Sequence, residues 1–149
     1  LIDMNVLKLL LIFSISTISG VVSYVSDGDT YHVIVDGEKI KIRLEGVDTP
    51  EKNQAFGLEA KEFVAERILH ENVKIEILST DRYGRKIAVI WVNGEDLREL
   101  LLKNGLAWHY KRYNDDERFA ELELVARKNK IGLWADPKSI PPWEWRRKN

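Results

Sequence analysis

At 149 residues with a formal net charge of −1, the chain is long enough for one domain with its own core and is not a strongly basic protein. It contains no cysteine, which excludes disulfides and thiolate metal sites. With 44% hydrophobic and 32% charged residues it has the balance of an ordinary globular domain, so an anionic partner would have to be held by local cations or a metal ion.

Leu7 to Ile18 is an almost continuous apolar run, opened by Lys8 and closed by Thr17, Ser19 and Gly20. This is the layout of a short secretory signal, and it is too short for a comfortable membrane span. It predicts a signal over residues 1–19 and a mature domain over 20–149 that works outside the cytoplasm, secreted, periplasmic or at the cell surface. An ordinary buried strand or helix, or an uncleaved anchor, are the alternatives.

Gly20 to Ser26 reads as a first strand, Asp27-Gly28-Asp29-Thr30 as a turn, and Tyr31 to Val35 as a second strand with Tyr31, Val33 and Val35 on one face. Asp36-Gly37 is a strong hairpin signal leading into a third strand from Lys39. There Lys41, Arg43 and Glu45 alternate with Ile42, Leu44 and Gly46, until Pro50 stops the ladder. Gly57 to His70 changes to helical period, with Ala60, Val64 and Ile68 on one stripe and Phe63, Arg67 and His70 on the next. Val73 to Ser79 is a fourth strand. Asp81-Arg82-Tyr83-Gly84-Arg85 is a turn, and Lys86 to Val92 is a fifth strand. Asp96 to Lys103 is a short helix stopped by Asn104-Gly105. A last helix is predicted from Asp116 to about Lys130, capped by Asn114 or Asp115, with Phe119, Leu122, Val125 and Ala126 inward. The tail from Trp134 to Asn149 reads as a surface segment with a solvated Arg146-Arg147-Lys148 end. Five strands with one helix between the third and fourth predict a mainly β, α+β domain: a five-stranded Greek-key barrel of the OB type with about three helices.

The charged residues at strand ends carry the chemistry. Asp29 follows the first turn and Asp48 ends the third strand; if those strands are neighbours, the two carboxylates converge. Two carboxylates, a backbone carbonyl and waters make an oxygen-only site suited to a hard cation such as calcium. Arg43 and Arg85 can clamp a tetrahedral anion from two sides, because guanidinium matches phosphate bidentately. Glu51 can take a proton from an attacking water. Together these are the parts for phosphodiester hydrolysis. Taken singly, each motif is also an ordinary turn or surface pattern. His32, His70 and His109 are scattered and read as core or surface residues.

The motifs Asp-Gly-Asp-Thr (27–30), Arg-Leu-x-Gly-Val-Asp-Thr-Pro-Glu (43–51), Asp-Arg-Tyr-Gly-Arg (81–85) and Asn-Gly-Leu-Ala (104–107) resemble the thermonuclease family, the staphylococcal-nuclease-like enzymes, over about Val21 to Trp134. The resemblance implies a calcium-dependent endonuclease that cleaves DNA and RNA and leaves 3′-phosphate ends. It implies Asp29 and Asp48 as side-chain calcium ligands, Thr49 as a main-chain ligand, Arg43 and Arg85 on the phosphate, and Glu51 as general base. Tyr83, with Arg82 beside it, and one of Tyr110 and Tyr113 would contact nucleotide. Two departures stand out: a short loop from Lys52 to Phe56, expected to give less of a lid, and the stretch Trp108 to Tyr113, which leaves the tyrosine match open. A monomer is expected, with no stable protein partner. Two other readings remain: a non-catalytic OB-fold nucleic-acid-binding module, and a carboxylate-pair hydrolase of a neutral substrate such as a sugar, against which the two arginines argue.

Overall fold

The computed structural model of the chain describes residues 16–149. In chain order the elements are β1 (Thr17–Asp27), β2 (Thr30–Val35), β3 (Glu38–Leu44), β4 (Val47–Asp48), α1 (Gly57–Ile68), β5 (Asn72–Thr80), β6 (Lys86–Val92), β7 (Glu95–Asp96), α2 (Leu97–Lys103), β8 (Trp108–His109), α3 (Glu117–Lys128), a 3₁₀ turn (Gly132–Ala135) and α4 (Pro142–Lys148). β1, β2 and β3 form an antiparallel meander, and β5 pairs antiparallel with both β1 and β6. β6 then runs parallel to β3, with Arg43 opposite Ile87, and closes a five-stranded barrel. This is the expected OB-type α+β architecture.

The barrel closes around Val22, Val25, Tyr31, Val33, Ile42, Leu44, Ile75 and Ile90, all buried. Val22 and Val25 lie three apart, so strict alternation cannot turn both inward. Register shifts between Val22 and Tyr24 and again after Val25 reset the alternation, and they leave Tyr24 outside. α1 plugs one end with Ala60, Val64 and Ile68. Asp36 (φ 49°) and Gly37 (φ 80°) make the tight turn their sequence predicts.

Several expectations change. β1 starts at Thr17, so three residues assigned to the signal segment pair with β5, Thr17 opposite Glu76 and Ser19 opposite Lys74; the rest of that segment, to residue 15, lies outside the described residues. Asp116, rather than Asn114 or Asp115, caps α3, accepting the Arg118 N–H at 2.8 Å. Val125 faces solvent and Glu123 is buried in its place. The Glu123 carboxylate meets the His109 N–H and the Arg127 guanidinium at 3.0 Å, and these partners offset its desolvation. The tail is not loose chain: Pro142 opens α4, where its missing N–H costs nothing and its fixed φ suits a first helical turn. Among the described residues no helix is long and apolar enough to cross a membrane.

Candidate active site

The meander places the Asp27–Thr30 turn beside the end of β3, and the Leu44 N–H donates to the Asp29 carbonyl at 2.9 Å. Asp27 Oδ1 accepts the Asp29 N–H at 3.1 Å and shapes the turn. Gly28 permits a close approach: a Cβ there would lie 2.8 Å from the Thr49 side chain and 2.9 Å from Ala60. Asp29 therefore reaches Thr49, accepting its N–H at 2.7 Å and its hydroxyl at 2.9 Å through one oxygen, Oδ2. β4 pairs with β8, Asp48 opposite Trp108, and this bridge holds Asp48 at the mouth of the barrel.

Arg43 points into this corner. Nη1 donates to the carbonyls of Leu44 and Val47, and Nη2 lies 3.4 Å from Asp29 and 3.2 Å from Asp48. Burial works against the guanidinium charge, but the fields of Asp29 and Asp48 outweigh it and push its pKa up. Arg85 is anchored through Nε to Asp81 at 2.7 Å; Nη1 and Nη2 have no hydrogen-bond partner among the described residues. Asp27, Asp29, Arg43, Asp48, Thr49, Glu51, Arg82, Tyr83, Arg85, Tyr110 and Tyr113 line a single cleft of about 1050 Å³. The residues singled out from the sequence, drawn from four separate stretches, thus meet in one place.

The tyrosines differ. Tyr83 and Tyr113 are 67% and 65% exposed. The Arg82 guanidinium lies over the Tyr83 ring and donates to its hydroxyl at 2.8 Å. Tyr110 is sandwiched, stacked on Trp143 at 5.2 Å and edge-on to Tyr113 at 4.9 Å. Tyr113 therefore offers the free ring, while Tyr110 joins α4 to the cleft. His109 is buried on Asn114, and its Nδ1 has no partner. His32 and His70 lie outside the cleft.

Sequence reasoning missed two participants. Asp27, read as a turn residue, lines the cleft; burial first, and then the charge of Asp29, raises its pKa to about 7. Arg146, read as part of a solvated tail, enters the site. Its Nη2 reaches Asp48 at 2.8 Å, and its Nη1 reaches Glu51 at 2.8 Å and the other Asp48 oxygen at 3.2 Å. The one signal for it was Pro141-Pro142 before Trp-Glu-Trp-Arg, a helix start that needs a docking surface to matter. The short loop after Glu51 is covered by this helix: Gln54 donates to the Ile140 carbonyl at 2.6 Å and Trp145 to Asn53 at 3.3 Å.

Asp29, Asp48 and Thr49 line the cleft together and offer only oxygen donors, the kind that could hold a hard cation. Among the described residues no group of three or more His, Asp and Glu side chains is gathered as a closed cage. Burial raises the Asp48 pKa as well, even with Arg146 bonded to it.

Comparison with known proteins places the chain among nucleases. The family described as staphylococcal nuclease homologue matches residues 41–136. A micrococcal nuclease from Shigella flexneri is 34% identical over 139 residues, 86% of this chain and 80% of that protein. An uncharacterized endonuclease from Haemophilus influenzae is 39% identical over 124 residues, 83% of this chain and 70% of that protein. Protein ParB from Escherichia coli is 36% identical over 141 residues, 87% of this chain and 80% of that protein.

Proposed function

Because this chain belongs to the staphylococcal nuclease family, and is therefore a nuclease that hydrolyses phosphodiester bonds, we propose that it acts on both DNA and RNA with calcium as its metal ion, little sequence choice and 3′-phosphate products. The observation that carries this reading is the convergence of Asp29, Arg43, Asp48, Glu51 and Arg85 on one cleft. A hydrolase of neutral sugars has no use for two guanidinium groups there, and a binding module has no use for a carboxylate positioned as a base.

Asp29, Asp48 and the Thr49 carbonyl would hold the calcium ion, which supplies positive charge to the scissile phosphate and its attacking water. Arg85 binds a phosphate oxygen with its unpaired terminal nitrogens. Arg43, fixed by two carbonyls, keeps the carboxylates oriented and presents its remaining edge to the anion. Both guanidiniums stabilise the charge that grows on the equatorial oxygens in the transition state. Glu51 accepts the proton of the water that attacks phosphorus. Tyr83 and Tyr113 lie along the flanking nucleotides, where base stacking tolerates any sequence. We further propose that the enzyme works outside the cytoplasm as a monomer; the apolar run before Thr17 supports the location.

The test is digestion of single-stranded DNA and of RNA with calcium and then with excess chelator, for wild type and Arg85→Ala. Calcium-dependent cleavage that falls at least a hundredfold in a variant with unchanged thermal midpoint is the expected result. A folded wild type that retards nucleic acid without cutting it in calcium, magnesium or manganese would favour the binding module.

A further inference from the structure

We propose that Arg146 is a third cation of the reaction centre, sharing Asp48 with the metal: it neutralises Asp48 and Glu51 when no divalent ion is bound, and turns to the substrate phosphate when one is. This rests on the metal-dependent nuclease reading above.

Both Asp48 oxygens are occupied. Oδ1 accepts from Arg43 Nη2 and Arg146 Nη1, each at 3.2 Å, and Oδ2 accepts from Arg146 Nη2 at 2.8 Å. A calcium ligand oxygen sits about 2.3–2.6 Å from the ion. Three of the four lone-pair sites of this carboxylate are taken, so a cation reaching Asp48 competes with a guanidinium at either oxygen. The two arginines are not equally free to leave. Arg43 is 12% exposed at its side chain and held by two backbone carbonyls and Asp29. Arg146 is 42% exposed, and its bonds in the site are to Asp48 and Glu51 alone. Arg146 is the one that yields.

Its helix does not have to move. α4 is held by the Trp143–Tyr110 stack, by an edge contact of Trp143 on Trp108 at 5.7 Å, and by Gln54 on the Ile140 carbonyl. The exchange is therefore a swing of one side chain. A released Arg146 stands where two clefts join: the catalytic one and a groove of about 880 Å³ also lined by Arg82, Lys111, Arg112 and Arg147. The acid in that groove, Glu123, is already bonded to Arg127 and the His109 N–H. A substrate strand brings phosphate to this junction, and a guanidinium grips phosphate bidentately. A swing that also breaks the Arg146 Nη1 bond to Glu51 frees Glu51 Oε1 to accept a proton.

The test is calorimetric titration of calcium into the metal-free full chain, for wild type and Arg146→Gln, with turnover of a short single-stranded oligonucleotide measured in saturating calcium. Removing the competing guanidinium is expected to tighten calcium about fivefold, the scale of losing a half-exposed ion pair. Turnover is expected to fall about tenfold, because the phosphate loses a cation. A merely structural role does not move these two quantities in opposite directions. If Arg146→Gln fails to fold, Arg146→Lys, which keeps the charge without the fork, is expected to bind calcium more tightly than wild type. Equal or weaker calcium affinity in a folded variant overturns the proposal and leaves the nuclease reading standing. Failure of the wild type to bind calcium, magnesium or manganese overturns both.

Discussion

Asp27 titrates inside the cleft, and its behaviour can be read from the outside. Its pKa in the folded chain is about 7, against 3.8 for a free aspartate. The native state thus keeps a proton that the unfolded chain gives up. The stability this supplies is complete below about pH 4 and is lost as pH rises towards about 7. Asp27→Asn keeps an oxygen for the Asp29 N–H and removes the charge. In metal-free buffer its urea midpoint is expected to exceed that of wild type at pH 8, with the gap closing towards pH 4; parallel profiles would refute the assignment. Glu51→Gln tests the base. A rate loss on the order of 10²–10⁴ is expected, the usual worth of a general base. The thermal midpoint should change little, since the Glu51 carboxylate is partly exposed.

Two elements control how well these residues are aimed. Gly57 opens α1 directly beneath Glu51: a Cβ at Gly57 would fall 1.8 Å from the Glu51 carbonyl oxygen. Gly57→Ala therefore has to push the 51–56 loop away. The expected outcome is a loss of turnover about as large as that of Glu51→Gln, together with lower stability, measured on one preparation by kinetics and calorimetry. Full activity in this variant would mean that Glu51 does not depend on that contact. α4 is the other element. Trp143→Ala removes an offset parallel stack on Tyr110 and an edge contact with Trp108. About 1–2 kcal/mol of stability is expected to go with it, from an aromatic pair plus part of a buried ring. A urea midpoint that drops at constant slope would show the loss to be one of stability alone.

For the whole molecule, the overall charge of −1 says little about how substrate is held. Arg82, Lys111, Arg112, Arg146 and Arg147 gather on one side, while acids elsewhere on the surface cancel them in the sum. A single strand that engages about three of these cations would lose roughly twentyfold in kcat/KM between 50 and 200 mM salt. A flat salt response would place the strand outside the groove.

Most of the fold was legible because its signals are local. Alternation marks the third strand, Asp36-Gly37 marks a turn, and Ala60, Val64 and Ile68 mark the helix stripe. The motif residues Asp29, Arg43, Asp48, Glu51 and Arg85 were legible as chemistry for the same reason: each sits at a strand end or turn that its own neighbours define. Glu123, Val125 and Arg146 were not. Whether a carboxylate is buried depends on Arg127 and the His109 N–H reaching it, and whether a C-terminal arginine is solvated depends on Tyr110 offering Trp143 a face. Strands, turns and the set of reactive groups follow from neighbouring residues, because short-range sterics and side-chain periodicity act within a few positions. That Asp48 and Glu51 are held by an arginine 95 or more positions away emerges only in the folded chain, because a contact between distant segments is set by packing across the closed barrel and leaves no pattern in either segment alone.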